Sequence, residues 1–169
     1  NAFDLEDLKL LDIIAGQIAI AIDNARQTEA LRESEERYRT LYDQAPVGVY
    51  IFNTDLVITN PNEHHVKMIN STREDIIGTE IRKLKDKTFI GLLEDALLGK
   101  TGSQEGYYKA TCSSVELWLH LSVAPLRDGA GNITGGMAVV NDITERKRAE
   151  MALSKSQEEY KSLVNTVDG

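Results

Sequence analysis

Few residues in this chain are of a type that does chemistry, and their spacing argues against most of it. The 169 residues include three histidines and one cysteine. His64 and His65 are adjacent, and neighbouring side chains on a helix diverge by about 100°, so the pair cannot converge on one metal. They read as surface residues. His120 alternates with Trp118 and Ser122 opposite Leu119, Leu121 and Val123, which is the period of a strand and puts His120 on an outer sheet face. Cys112 has no basic neighbour to lower its pKa and reads as an inert, half-buried thiol. The acidic pairs Glu35-Glu36 and Glu158-Glu159 fall in charged helical stretches, where a solvated face explains them. There is no glycine-rich phosphate loop, no Cys/His metal spacing, and no phosphoacceptor or nucleotide-binding motif. The chain by itself is expected to catalyse nothing.

The elements around these residues have a clear order. Leu8, Leu11, Ala15, Ile18, Ile22 and Ala25 recur every three or four residues and form one helical stripe. From about Gln27 to Asp43 the composition turns to mixed charge around Leu31, Tyr38 and Leu41, as in a solvated helix with a narrow seam. Thr144 to about Val167 has the same character, with Leu153, Tyr160 and Leu163 in the seam. Between these helices the period shortens. Val47–Asn53 and Val57–Thr59 read as strands, and Asn62 to about Gly99 as several short helices. Gly106–Cys112, Val115–Leu126 and Ile133–Ile143 follow as three strands, joined by Ser113-Ser114 and by the Arg127–Asn132 turn. Two strands, a helical insert and a three-strand meander predict an α+β domain with a five-stranded antiparallel sheet and helices on one face, flanked by long N- and C-terminal helices.

With 27 acidic against 19 basic residues the formal charge is −8, which argues against a nucleic-acid or anionic-membrane surface. No apolar run approaches the roughly 20 residues of a membrane span. One cysteine allows no internal disulfide and fits a reducing compartment, so a cytoplasmic location is expected. One repeat is visible. Ala30-Leu31-x-x-Ser34-x-Glu36-x-Tyr38-x-x-Leu41 returns as Ala152-Leu153-x-x-Ser156-x-Glu158-x-Tyr160-x-x-Leu163. It suggests that a second copy of the middle domain begins at the end of the chain, as in a tandem array.

The middle domain resembles a PAS domain from about Ser34 to Lys147. The residues that carry the resemblance are Asn62-Glu63 through Met68, then Ser71-Thr72-Arg73-Glu74-Asp75-Ile76-Ile77-Gly78, then Trp118, Ala124–Asp128, Gly131–Ile133, Gly135 and the exit run Asp142–Lys147. Asn62 and Thr72-x-x-Asp75 also have the form of helix caps. Asn70-Ser71 and Ser113-Ser114 depart from the family pattern and leave its pocket chemistry open. Phe3 to Arg26 is similar to the last helix of a GAF domain. The resemblance implies four parts: a GAF-like terminal helix over 1–28, a linker and lead-in helix over 29–44, the PAS domain over 45–145, and an exit helix with the start of another PAS domain over 146–169.

Several expectations follow from the resemblance. Flavin-binding members use a reactive cysteine on the helical insert; this insert has none, which excludes a flavin adduct. Haem-binding members place a histidine on the helix before the third strand, and Thr88–Lys100 has none, which argues against haem. The cofactor is otherwise unknown. Met68, Phe89, Leu93, Leu119, Leu121 and Met137 are expected to meet across the core, around either tight packing or a small pocket. The family couples its sheet to the outgoing helix through the exit motif, which gives Asp142, Thr144 and Arg146 a relay role, with Arg146 reaching back to Asp142. Leu31, Tyr38, Leu41, Leu153, Tyr160 and Leu163 are expected to form the seam of a parallel homodimer. The implied whole is a sensory and signal-relay module of a sensor histidine kinase with GAF, PAS and kinase neighbours. The alternative is a chemoreceptor whose internal pocket holds a small molecule.

Overall fold

The computed structural model describes the backbone of residues 5–111 and 113–167, and side chains of residues 17, 18, 20–111 and 113–161. Cys112 and the side chain of Leu163 lie outside the described residues. The chain divides into two units, Asn1–Tyr42 and Asp43–Gly169.

The first unit is helical. Helix α1 runs unbroken over Leu5–Asp43, with no proline in it to interrupt the backbone ladder. Its charged stretch is laced by Arg32, which pairs with Glu29 one turn before it and Glu36 one turn after. Leu31, Tyr38 and Leu41 are exposed along it.

The second unit holds one sheet of five strands in the order β2-β1-β5-β4-β3, every pair antiparallel. The strands are β1 (Gly48–Asn53), β2 (Ile58–Pro61), β3 (Gly102–Lys109), β4 (Glu116–Arg127) and β5 (Ile133–Asp142). Helices α2 (Glu63–Met68), α3 (Arg73–Ile76) and α4 (Ile90–Leu97), with a 3-10 turn at Ile81–Lys83, separate β2 from β3. Helix α5 (Thr144–Val167) leaves directly from β5. The fold is the expected α+β arrangement, a five-stranded antiparallel sheet with a helical insert.

Alternation explains which side of each strand is dry. On β4, Leu119, Leu121 and Val123 are buried, and Trp118, His120 and Ser122 on the other face are partly exposed. On β5 the buried side chains are Ala138 and Val140, and Met137, which was expected in the core, is only partly buried on the other face. The cause is Phe52. It pairs with Gly136 across β1 and β5, and its ring occupies the space where a Gly136 side chain would lie. That contact turns the even positions of β5 inward. Strand β3 also begins at Gly102, four residues before the expected start.

Asn62 joins the insert to the sheet. Its Oδ1 accepts from the amides of Val49 (2.8 Å) and His65 (2.9 Å), and its Nδ2 donates to the Val47 carbonyl (3.0 Å). One fully buried side chain thus caps α2 and ties it to β1. Thr72 caps α3 as its spacing implied: its hydroxyl accepts from the Asp75 amide and donates to the Asp75 carboxylate. Asp43, the first residue of this unit, accepts from the Glu63 amide and pairs with Arg73 at 3.0 Å.

Candidate functional site

Two regions stand out: a cavity between insert and sheet, and the junction between β5 and α5.

The cavity has a volume of about 220 Å³. Phe89, Leu93, Leu119 and Leu121 line it. Met68 does not; it is partly buried against the surrounding core. Met137 does not either, because it lies on the opposite face of β5 from Ala138 and Val140. Tyr50, His65 and Tyr108 line the cavity as well; the two tyrosines were not singled out from sequence, and His65 was read there as a surface residue.

His65 corrects the expectation of a surface pair. It is only 6% exposed, with its ring 4.9 Å from that of Tyr50. The capped start of α2 puts His65 one turn before Ile69, and both face inward. That i, i+4 spacing is shared by His64 and Met68, so it does not by itself pick out the buried histidine. Burial, with a smaller contribution from the neighbouring His64, pushes the imidazole pKa down to about 4. Burial likewise pushes the Tyr50 phenol above its usual range. Both groups are neutral at pH 7. The Nδ1 of His65 is enclosed and makes no hydrogen bond among the described residues. It faces Gly48, where a Cβ would sit 3.2 Å from it, so glycine is the residue that lets the ring into this position.

At the junction, the hydrogen-bond ladder of β4 and β5 runs on into the helix. The Ile143 amide donates to the Trp118 carbonyl (2.8 Å), and the Trp118 amide donates to the Thr144 hydroxyl (3.0 Å). Asp142 accepts from the Thr144 amide at 2.8 Å. Asp142 and Thr144 are thus brought together at one helix start. Arg146 does not reach back to Asp142. It pairs with Glu105 on β3 at 2.5 Å and with Glu150 at 3.0 Å. Lys147 joins it, 2.9 Å from Glu105 and 5.8 Å from the centre of the Trp118 ring. Hydrogen bonds from Lys147 and then Arg146 hold the Glu105 carboxyl below the usual carboxylate range. The long guanidinium thus ties the first turn of α5 to β3. The pairing of Glu105 with Lys147 was not anticipated because the two stand 42 positions apart in the chain.

Leu153 and Tyr160 are exposed along α5, as Leu31, Tyr38 and Leu41 are along α1. Among the described residues no group of three or more His, Cys, Asp or Glu could hold a metal ion. No described helix is long and apolar enough to cross a membrane.

Comparison with known proteins follows the same lines. The chain is 26% identical over 167 residues to the methyl sulfide methyltransferase-associated sensor of Methanosarcina acetivorans, covering 94% of this chain and 16% of that protein. It is 23% identical over 135 residues to the sensor histidine kinase TmoS of Ectopseudomonas mendocina, covering 77% of this chain and 14% of that one. The chain therefore spans about a sixth or less of these curated relatives. A crystal structure of the PAS domain of an HTR-like protein from Haloarcula marismortui superposes with a TM-score of 0.59 at 15% identity, covering 70% of this chain and 99% of that one. The PAS domain family model matches residues 46–145. That match takes in the cavity and the β5–α5 junction as far as Glu145 and covers more than half of the chain, which belongs to the PAS domain family.

Proposed function

We propose that this chain is a sensory and signal-relay module of a longer signalling protein, a sensor histidine kinase, and that it passes changes in its sheet to the outgoing helix. The observation that carries this reading is the junction. Trp118 of β4 bonds to both Ile143 and Thr144, so β4 and the first turn of α5 share one hydrogen-bond ladder. A sheet that twists must turn the helix with it. Asp142, Thr144 and Arg146 act in the relay, with Glu105 and Lys147 as partners that the charge pairing adds. The names of the aligned relatives, which are sensors, agree. Residues 1–28 are read as the end of a GAF-like domain, 29–44 as a linker, and 146–169 as the lead-in to another PAS domain, all in the cytoplasm.

Two copies pair in parallel through Leu31, Tyr38 and Leu41 and through Leu153, Tyr160 and Leu163; the first five side chains are exposed in the single chain. The test is Asp142→Ala in the parent protein. A relay leaves output locked high or low while the 169-residue chain stays folded. A folded variant that still switches normally refutes it.

A second reading has its own observation. A cavity of about 220 Å³ with a buried imidazole in its wall is what a small-molecule receptor would present. A retained mass in the native mass spectrum of protein from its own host would support this reading.

A further inference from the structure

We propose that the cavity receives a compact, neutral, largely apolar molecule whose single hydrogen-bond acceptor meets the Nε2–H of His65. This rests on the receptor reading above and adds to it the class of ligand.

Size sets the first limit. Cavities of about 150 Å³ hold benzene, and water claims roughly 30 Å³ in the liquid. By that scale about 220 Å³ suits a body of about nine non-hydrogen atoms. The wall is mostly Ile, Leu, Val and Phe, which favours one ring or a short branched chain.

Charge sets the second. The buried polar groups in the wall, His65 and Tyr50, are both neutral at pH 7. No buried cation is there to receive an anion. Asp75 and Asp86 lie toward the solvent-reached side, and each is committed: Asp75 to the Thr72 hydroxyl, Asp86 to the amides of Thr88 and Lys109. Neither is buried, so the buried part of the wall holds no carboxylate to receive a cation, and their charge at the rim repels an anion.

The tautomer sets the third. Nδ1 is enclosed and unpartnered. A buried N–H without an acceptor is rarer and costlier than a lone pair without a donor. The proton therefore belongs on Nε2. That N–H is the donor the ring has left to offer, and it calls for a carbonyl, ether or ring-nitrogen acceptor.

The test uses the 169-residue chain and three probes of matched size: acetophenone (acceptor), isopropylbenzene (none) and benzoate (anion). Affinities come from titrations followed by methyl and histidine-ring nitrogen NMR. Acetophenone is expected to bind and to move the His65 Nε2 resonance, isopropylbenzene to bind without moving it, and benzoate not to bind. In His65→Phe, acetophenone should weaken about tenfold relative to isopropylbenzene. If that variant does not fold, the Nε2 resonance in the unaltered protein decides alone. Neutral probes that bind while Nε2 responds to both or to neither overturn the ligand class and leave the receptor reading standing, as does benzoate binding as tightly as acetophenone. No response to any probe at its solubility limit overturns the receptor reading itself.

Discussion

Replacing Asn62 with alanine removes three hydrogen bonds at once from a fully buried position. Loss of the α2 cap costs about 1 kcal/mol, as at an ordinary N-terminus. The Val49 amide lies in a buried strand, and losing its Asn62 partner costs about 2 kcal/mol more. The Val47 carbonyl is half-buried, so water takes over that bond. The expected destabilisation is about 3 kcal/mol. Thr72→Ala is the control. It removes the same kind of cap from α3, but at an exposed site, and should cost about 1 kcal/mol. With an m-value near 1.5 kcal/mol/M, the urea midpoint should fall by about 2 M for Asn62→Ala and by less than about 1 M for Thr72→Ala. Equal shifts in the two variants would refute the reasoning, because burial of the cap would then carry no weight.

Acid should weaken the domain through His65. Its pKa is near 4 when folded and about 6.5 when unfolded, so the unfolded chain takes up a proton that the folded one refuses. Stability is then full above about pH 6.5 and falls toward pH 4, by up to about 3 kcal/mol. Urea midpoints against pH should lose that slope in His65→Phe, and an unchanged slope would assign it to carboxylates instead. Glu105→Gln should release Arg146 and Lys147 from β3 and shift the emission of Trp118, the sole tryptophan, with little change in the unfolding midpoint; unaltered emission would count against the clamp. Sedimentation should show a dimer at high micromolar concentration, lost in a Leu31→Glu, Tyr38→Glu variant, whereas a monomer in the unaltered chain would refute the seam.

The strands and caps were legible because their signals are local. Asn62 and Thr72 each announce a helix start within three residues, and β4 alternates cleanly along Leu119, Leu121 and Val123. The phase of β5 was not legible, since Met137, Ala138, Val139 and Val140 are apolar on both faces and only the Phe52–Gly136 contact breaks the tie. The start of β3 was hidden for the opposite reason: Ser103, Gln104 and Glu105 are exposed on an edge strand and carry no apolar alternation. His65 was misplaced by weighing the pair as a pair. Each histidine has its own helix face, and each stands four residues before an apolar one, Met68 or Ile69, so the sequence leaves open which turns inward. Four of the six residues expected in the core pocket do line the cavity, yet its two buried polar members, Tyr50 and His65, come from β1 and α2, where apolar patterning gives no hint of them.

Strand order has a consequence for synthesis. β5 is the last strand made, yet it lies in the middle of the sheet, and the β2–β1 and β3–β4 pairs share no ladder with each other. Until residues 133–142 have emerged from the ribosome, the nascent chain carries two hairpins that cannot join. Gly48 waits for Val140 and Leu121 for the same residue, so closing the sheet is a slow, long-range step. The first turn of α5 is anchored through Trp118 and Asp142 only after that step. A copy that stalls or misfolds thus presents no fixed helix to any segment that follows it, and the order of strands works as a check on completion before the helix has anything to transmit.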